Sequence, residues 1–129
     1  MDIKISFEDG LKINAITSEF VIKTDQPKEI GGDASAPDPF TLFLSSIGTC
    51  AGYYALKFCQ TRDISMEGFE IDLSNDFNQE KKRAENIKIN FTLPESFPKK
   101  YHKALLKSVD QCTAKNTIQF GPNIDIGIN

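Results

Sequence analysis

The sequence predicts an α+β domain, and three observations predict it. Apolar residues alternate with polar ones in blocks, three short runs at the start and two longer runs in the middle. A stretch without any charged residue, Pro39 to Leu56, separates the two blocks. A second segment of helical spacing follows the second block. Strands and helices are therefore grouped rather than interleaved, which is the pattern of α+β architecture and not of a parallel α/β sheet.

The elements follow in order. Ile3, Ile5 and Phe7 alternate with charged or polar residues, Glu8-Asp9-Gly10 turns the chain, and Leu11, Ile13 and Ala15 continue the alternation. A third run, Glu19 to Asp25, carries Phe20-Val21-Ile22 and completes an antiparallel meander of three short strands. Residues 26–38, with Gly31-Gly32 and two prolines, read as a loop, and loops of this length in a compact domain tend to be functional. Asp38 before Pro39 marks a helix start, a capping carboxylate ahead of proline at the first helical position.

The uncharged stretch approaches the length of a membrane span. Thr41, Ser45, Ser46, Gly48, Thr49 and Gly52 dilute its hydrophobicity, and Lys57 follows at once, so it predicts a buried helix and no membrane association. A helix without a charged face must be buried nearly all round. A small sheet covers only one side, so the other side predicts contact with a second copy, a homodimer. The helix ends near Arg62-Asp63. Glu67 to Ser74 and Asn86 to Leu93 then alternate cleanly and predict a hairpin joined by the polar stretch 75–85. Pro98 opens a second helix, on which Tyr101, Ala104, Leu105, Ser108, Val109 and Cys112 share one apolar face, with one more turn expected beyond. Ile124, Ile126 and Ile128 predict a closing strand.

Length and composition limit the function classes. At 129 residues the chain is one domain, 1–129, with enough sequence for a real core. A net charge of -3 argues against a nucleic-acid surface, which needs clustered cations. Lys81-Lys82-Arg83 sits beside Glu80 and Glu85 and reads as a solvated turn. The N-terminus carries charges at positions 2, 4 and 8 and no apolar signal segment, so the expected compartment is the cytoplasm. One histidine, His102, and no Cys-x-x-Cys make a metal site improbable, and His102 reads as a surface residue. Gly31-Gly32-Asp33 matches neither a phosphate loop nor a dinucleotide fingerprint.

The candidate chemistry lies with the cysteines. Three of them, without paired spacing, do not form a secreted disulfide framework. Cys50 lies in the middle of the uncharged helix, and Cys59, nine positions on, faces roughly the opposite side. Cys112 lies on the second helix and can meet Cys50 if the two helices pack together. Taken alone, each reads first as a small buried hydrophobe. Reactivity requires the thiolate, favoured by a nearby cation or a helix N-terminus. Lys57 is two turns from Cys50, and Lys115, three residues past Cys112, is the better placed cation.

Several segments together resemble one family. Gly31-Gly32-Asp33 leading into Ala36-Pro37-Asp38-Pro39-Phe40-Thr41-Leu42-Phe43-Leu44 resembles the glycine-aspartate loop and proline-led helix start of the OsmC/Ohr proteins. Ser45-Ser46-Ile47-Gly48-Thr49-Cys50 resembles their small-residue run ending in the first cysteine, and Val109-Asp110-Gln111-Cys112-Thr113 their second-cysteine motif. The resemblance implies an OsmC-like fold, with antiparallel sheets around two long central helices in an intertwined homodimer. It also implies a thiol-dependent reductase of organic hydroperoxides, with Cys50 peroxidatic and Cys112 resolving. No bound cofactor is implied, and the expected reductant is an external dithiol of lipoyl type. The family's peroxidases carry a glutamate where this chain has Phe40, and an arginine from the N-terminal part, whereas the first arginine here is Arg62. Without that pair, burial of Cys50 in an apolar site is expected to favour the neutral thiol. Two alternatives therefore stand beside the peroxidase. One is a binding protein holding a small hydrophobic ligand near Cys50, Phe40, Phe43 and Tyr53, and the other is a redox sensor using a slow Cys50–Cys112 disulfide.

Overall fold

A computed structural model describes residues 1–129. The chain divides into two compact units, Met1–Ser45 and Ser46–Asn129.

In the first unit, β1 (Lys4–Phe7), β2 (Ile13–Ile16) and β3 (Val21–Thr24) form the expected antiparallel meander in the order β1-β2-β3. Ala15 stands at the centre of the register, opposite Ile5 on one side and Ile22 on the other. Gly10 turns the first hairpin at φ +62°, a left-handed conformation that glycine adopts without a steric cost. The loop that follows is organised by one carboxylate. Asp25 is fully buried, and it accepts hydrogen bonds from the backbone N–H groups of Gln26 (2.7 Å), Asp33 (3.2 Å) and Ser35 (3.0 Å) and from the Ser35 hydroxyl (2.7 Å). Gly32 lets the loop close on itself, since a Cβ there would lie 1.9 Å from the Gln26 carbonyl oxygen. Lys12 ties the loop to the sheet through Asp33 at 2.7 Å and Asp9 at 3.2 Å.

The long helix α1 (Pro39–Thr61) begins where Asp38 predicts it. One Asp38 carboxylate oxygen accepts the N–H groups of Phe40 (3.0 Å) and Thr41 (3.1 Å), and the other accepts the Thr41 hydroxyl at 2.6 Å. These are the orphan donors of a first helical turn.

In the second unit, β4 (Glu70–Asn78) and β5 (Arg83–Thr92) form an antiparallel hairpin longer than its alternation suggested. The pairing runs on into the polar stretch, with a register irregularity between Ser74 and Asp76. A bulge of this kind shifts the side-chain alternation by one position, so periodicity alone loses the strand there. The hairpin places Ile71, Ile89 and Phe91 against α1, whose buried stripe is Ile47, Ala51, Ala55, Phe58 and Cys59. Leu105 and Val109 of α2 (His102–Val109) and Phe97 complete this core.

Three expectations need correction. The second helix is not one long rod: a 3-10 turn at Lys99–Tyr101 leads into α2, and the chain breaks before α3 (Thr113–Gln119). Cys112 causes the restart, because its backbone (φ -51°, ψ 115°) leaves the helical region while its sulfur accepts the Lys115 N–H as an N-cap. Leu105, Val109 and Cys112 are nevertheless all buried, so the predicted apolar face exists on a bent path. The closing strand is not formed: Ile124, Ile126 and Ile128 are 81–101% exposed and have no regular structure. A strand needs a neighbour to satisfy its backbone groups, and none is supplied there. The uncharged helix is not buried nearly all round either, since Tyr53 and Leu56 lie exposed, as do Phe40 and Phe43. No helix is long and apolar enough to cross a membrane.

The Asp25 network yields a pH prediction. Donation by the Ser35 hydroxyl, then by the surrounding amides, holds the Asp25 carboxyl down to about 2. A lowered folded-state value means stabilisation that is complete above the ordinary carboxyl range near 4 and is lost as pH falls towards 2. Thermal melts between pH 6 and pH 2 should show this acid limb. Asp25→Asn should melt several degrees lower at neutral pH and show a shallower decline in acid, and an unchanged acid limb would refute the assignment.

Candidate active site

The site is built where the middle of α1 meets the start of α3. Position 50 lies on α1 three residues beyond the buried Ile47, so its side chain emerges beside the core stripe and is only half-buried. Cys112 is completely buried at the N-cap of α3. Its sulfur lies 4.0 Å from the Ile47 carbonyl oxygen and receives the Lys115 N–H at 3.4 Å. The structure thus brings together the two cysteines that the sequence singles out, close enough that each shifts the other's ionisation. No disulfide is present, and all three thiols are free.

The electrostatics of the pair are asymmetric. Burial pushes the Cys50 thiol up, but the Ala114 N–H, the Cys112 thiol and the Thr113 N–H all stabilise the Cys50 sulfur as an acceptor. Together they outweigh desolvation, and Cys50 lies below the ordinary thiol value. Cys112 moves the opposite way: burial raises it, and so does donation of its proton to Cys50. The lower-lying thiol is therefore the more accessible one, and its partner retains the proton.

Burial does push Cys50 towards the neutral thiol, as expected without the arginine–glutamate pair, but the surrounding donors reverse the net direction. The donors are backbone amides of Thr113 and Ala114 and one thiol, none of which a side-chain pattern announces. The only sequence signal was Cys112 itself, whose N-cap role sets the direction of those amides. Lys115 contributes through its backbone rather than as a free cation, because its ammonium contacts the Asp110 carboxylate and lies 3.3 Å from Gln119 Oε1.

The remaining candidates fall outside this arrangement. Cys59 is fully buried in the core stripe, and burial raises its thiol against the opposing field of Arg62. His102 is exposed, with its ring 5.6 Å from that of Phe97. No group of three His, Cys, Asp or Glu side chains is placed to hold a metal ion. Beside Cys112 lies an apolar groove of about 410 Å³, lined by Ile47, Ile87, Ile89 and Ile118 with Lys115 and Gln119. Phe40 and Phe43 stack at 5.9 Å along one side of α1, and Tyr53 meets Tyr54 edge-on at 5.3 Å.

The thiol order has a direct chemical readout. Iodoacetamide at neutral pH on the native protein should alkylate Cys50 at least about tenfold faster than Cys112, since the thiolate is the nucleophile. Cys59 should react only on unfolding. Peptide mass spectrometry would establish the order, and first labelling at Cys112 or Cys59 would contradict it.

The chain was compared with known proteins. The OsmC-like protein family matches residues 32–127. No curated protein matches the sequence. Among solved structures, an OsmC-like protein of Mycoplasma pneumoniae is similar with a TM-score of 0.72 and 19% identity, over 92% of this chain and 86% of that one. A provisionally named osmotic stress induced and detoxification response protein of Psychrobacter arcticus gives a TM-score of 0.73 at 20% identity, over 89% and 85% of the two chains. An organic hydroperoxide resistance protein OsmC of Legionella pneumophila gives 0.55 at 18%, over 92% and 90%. At these identities the structural likeness establishes the fold.

Proposed function

The chain belongs to the OsmC-like protein family, and we propose that it is a thiol-dependent peroxidase reducing organic hydroperoxides through Cys50 and Cys112. The observation that carries this reading is the position of Cys112, buried at the N-cap of α3 with its sulfur 4.0 Å from the Ile47 carbonyl oxygen of the helix that carries Cys50, an arrangement in which Cys50 is lowered and Cys112 raised. One thiol is poised as the nucleophile, and its neighbour keeps the proton needed in the next step.

The chemistry balances in three steps. The Cys50 thiolate attacks the terminal oxygen of the hydroperoxide, the O–O bond breaks, and Cys50 becomes a sulfenic acid while the alkoxide takes a proton and leaves as the alcohol. The Cys112 sulfur then displaces hydroxide from the sulfenic acid, which departs with the Cys112 proton as water and leaves a Cys50–Cys112 disulfide. An external dithiol of lipoyl type reduces that disulfide by exchange and is itself oxidised to a cyclic disulfide. No bound cofactor takes part. The apolar groove beside Ile47 suits a hydrophobic organic peroxide better than hydrogen peroxide.

The same reading includes a homodimer. The exposed apolar residues of α1 and the alternating tail Ile124–Ile128 support it, since apolar groups gathered at a surface mark interaction sites.

The test is turnover of cumene hydroperoxide with dihydrolipoamide. Wild type should turn over, Cys50→Ser should lose activity by at least about a thousandfold, and Cys112→Ser should complete one peroxide reduction and stall as the sulfenic acid. Wild-type turnover equal to that of Cys50→Ser would remove the proposal in favour of a ligand-binding role. Light scattering at micromolar concentration should give twice the 14.4 kDa chain mass, and a monomer mass would refute the dimer.

A further inference from the structure

We propose that a groove between the C-terminal half of α1 and α2 is a second binding site, selective for small amphipathic organic anions. Charge segregation is the first argument. The chain carries 18 acidic and 15 basic residues, yet Lys57, Arg62 and Lys107 line this groove and no carboxylate does. None of the three forms an ion pair. The surrounding segment extends the imbalance, with Lys99, Lys100, Lys103 and Lys107 and no acid between Glu95 and Asp110.

Shape is the second argument. The groove measures about 430 Å³, within the usual size range of small-molecule sites. Its floor includes the buried Phe58 and the half-buried Tyr54, while the cations stand exposed at the rim. An apolar body can rest on the aromatic floor while an anionic head meets the rim.

Preorganisation is the third. The Arg62 guanidinium lies 3.7 Å from the Phe58 ring centroid, and its Nη1 donates to the Phe58 carbonyl oxygen at 3.2 Å. Stacking fixes the plane of the fork and leaves further N–H donors for an incoming carboxylate or phosphate. Tyr101 lies beneath the same guanidinium at 5.6 Å and beneath the Lys100 ammonium at 5.0 Å, so the cationic rim continues along an aromatic base. A nucleic acid, with its repeated phosphates, would need a cationic track, and this is one short groove on an acidic chain. A free carboxylate or phosphate monoester with a short alkyl tail matches both its size and its charge.

The experiment uses the full chain and its own tyrosines, since there is no tryptophan and two of three tyrosines, Tyr54 and Tyr101, flank the groove. Octanoate and octyl phosphate are titrated against tyrosine fluorescence, with octanol as the uncharged counterpart. At least one anion should bind ten or more times tighter than octanol, and the double variant Lys57→Gln/Lys107→Gln should weaken it at least tenfold with an unchanged circular dichroism spectrum. Equal binding of octanol, or wild-type affinity in the double variant, would overturn the proposal. Capture by phosphatidylglycerol vesicles without binding of either free anion would assign the patch to a membrane surface and likewise overturn it. So would the absence of binding together with a dimer that Lys57→Glu/Lys107→Glu dissociates, because the groove would then belong to a second copy. The cysteine chemistry is separate from all these outcomes, since neither substituted lysine touches Cys50 or Cys112.

Discussion

The structure depends on one constraint, a 23-residue helix, without charge from Pro39 to Leu56, whose buried stripe must be covered by apolar partners. The stripe from Ile47 to Cys59 is met by the β4–β5 hairpin and by Leu105 and Val109 of α2. Burying a large side chain such as Phe58, Leu105 or Val109 removes it from water at a gain of about 1.5–3 kcal/mol, so the hairpin and α2 are held where the helix needs them. Fixing α2 fixes the turn after it, and that turn carries Cys112. The geometry of the two thiols is thus a consequence of how the helix is covered.

The second consequence is electrostatic. A half-buried thiol in apolar surroundings ordinarily resists ionisation. Here the backbone re-enters helical geometry at Thr113, immediately after Cys112, so that free amides of a first helical turn are directed at Cys50. Amides at a helix start cannot be satisfied within the helix, and a thiolate is a suitable acceptor for them. The chain has no arginine before Arg62 and no glutamate at Phe40. In this structure the backbone and one neighbouring thiol supply the stabilisation.

Much of this was legible in the sequence, for identifiable reasons. Period-two alternation at Ile3–Phe7 and Asn86–Leu93 located strands because one face of each is apolar. Asp38-Pro39 located the helix start to the residue, since capping chemistry is local. The break at residues 110–112 was hidden, because Leu105, Val109 and Cys112 keep helical spacing through a restart and cysteine is an uncommon cap. The bulge near Asn75 hid the true length of the hairpin. Ile124, Ile126 and Ile128 show the limit of pattern reading: alternation states what a segment can pair with, not whether a partner is present. Cys50 and Cys112 were identifiable as a pair only through their family context, whereas the amides that set their order became visible only with the coordinates.

Titration of the Cys50 thiolate by its ultraviolet absorbance, in wild type and in Cys112→Ala, tests the central claim most directly. With the donating thiol removed, Cys50 should titrate at higher pH than in wild type, where it should lie below the ordinary value for a cysteine. The same titration curve in both proteins, or a wild-type Cys50 that ionises above an ordinary thiol, would contradict the view that Cys112 and the start of α3 make the nucleophile.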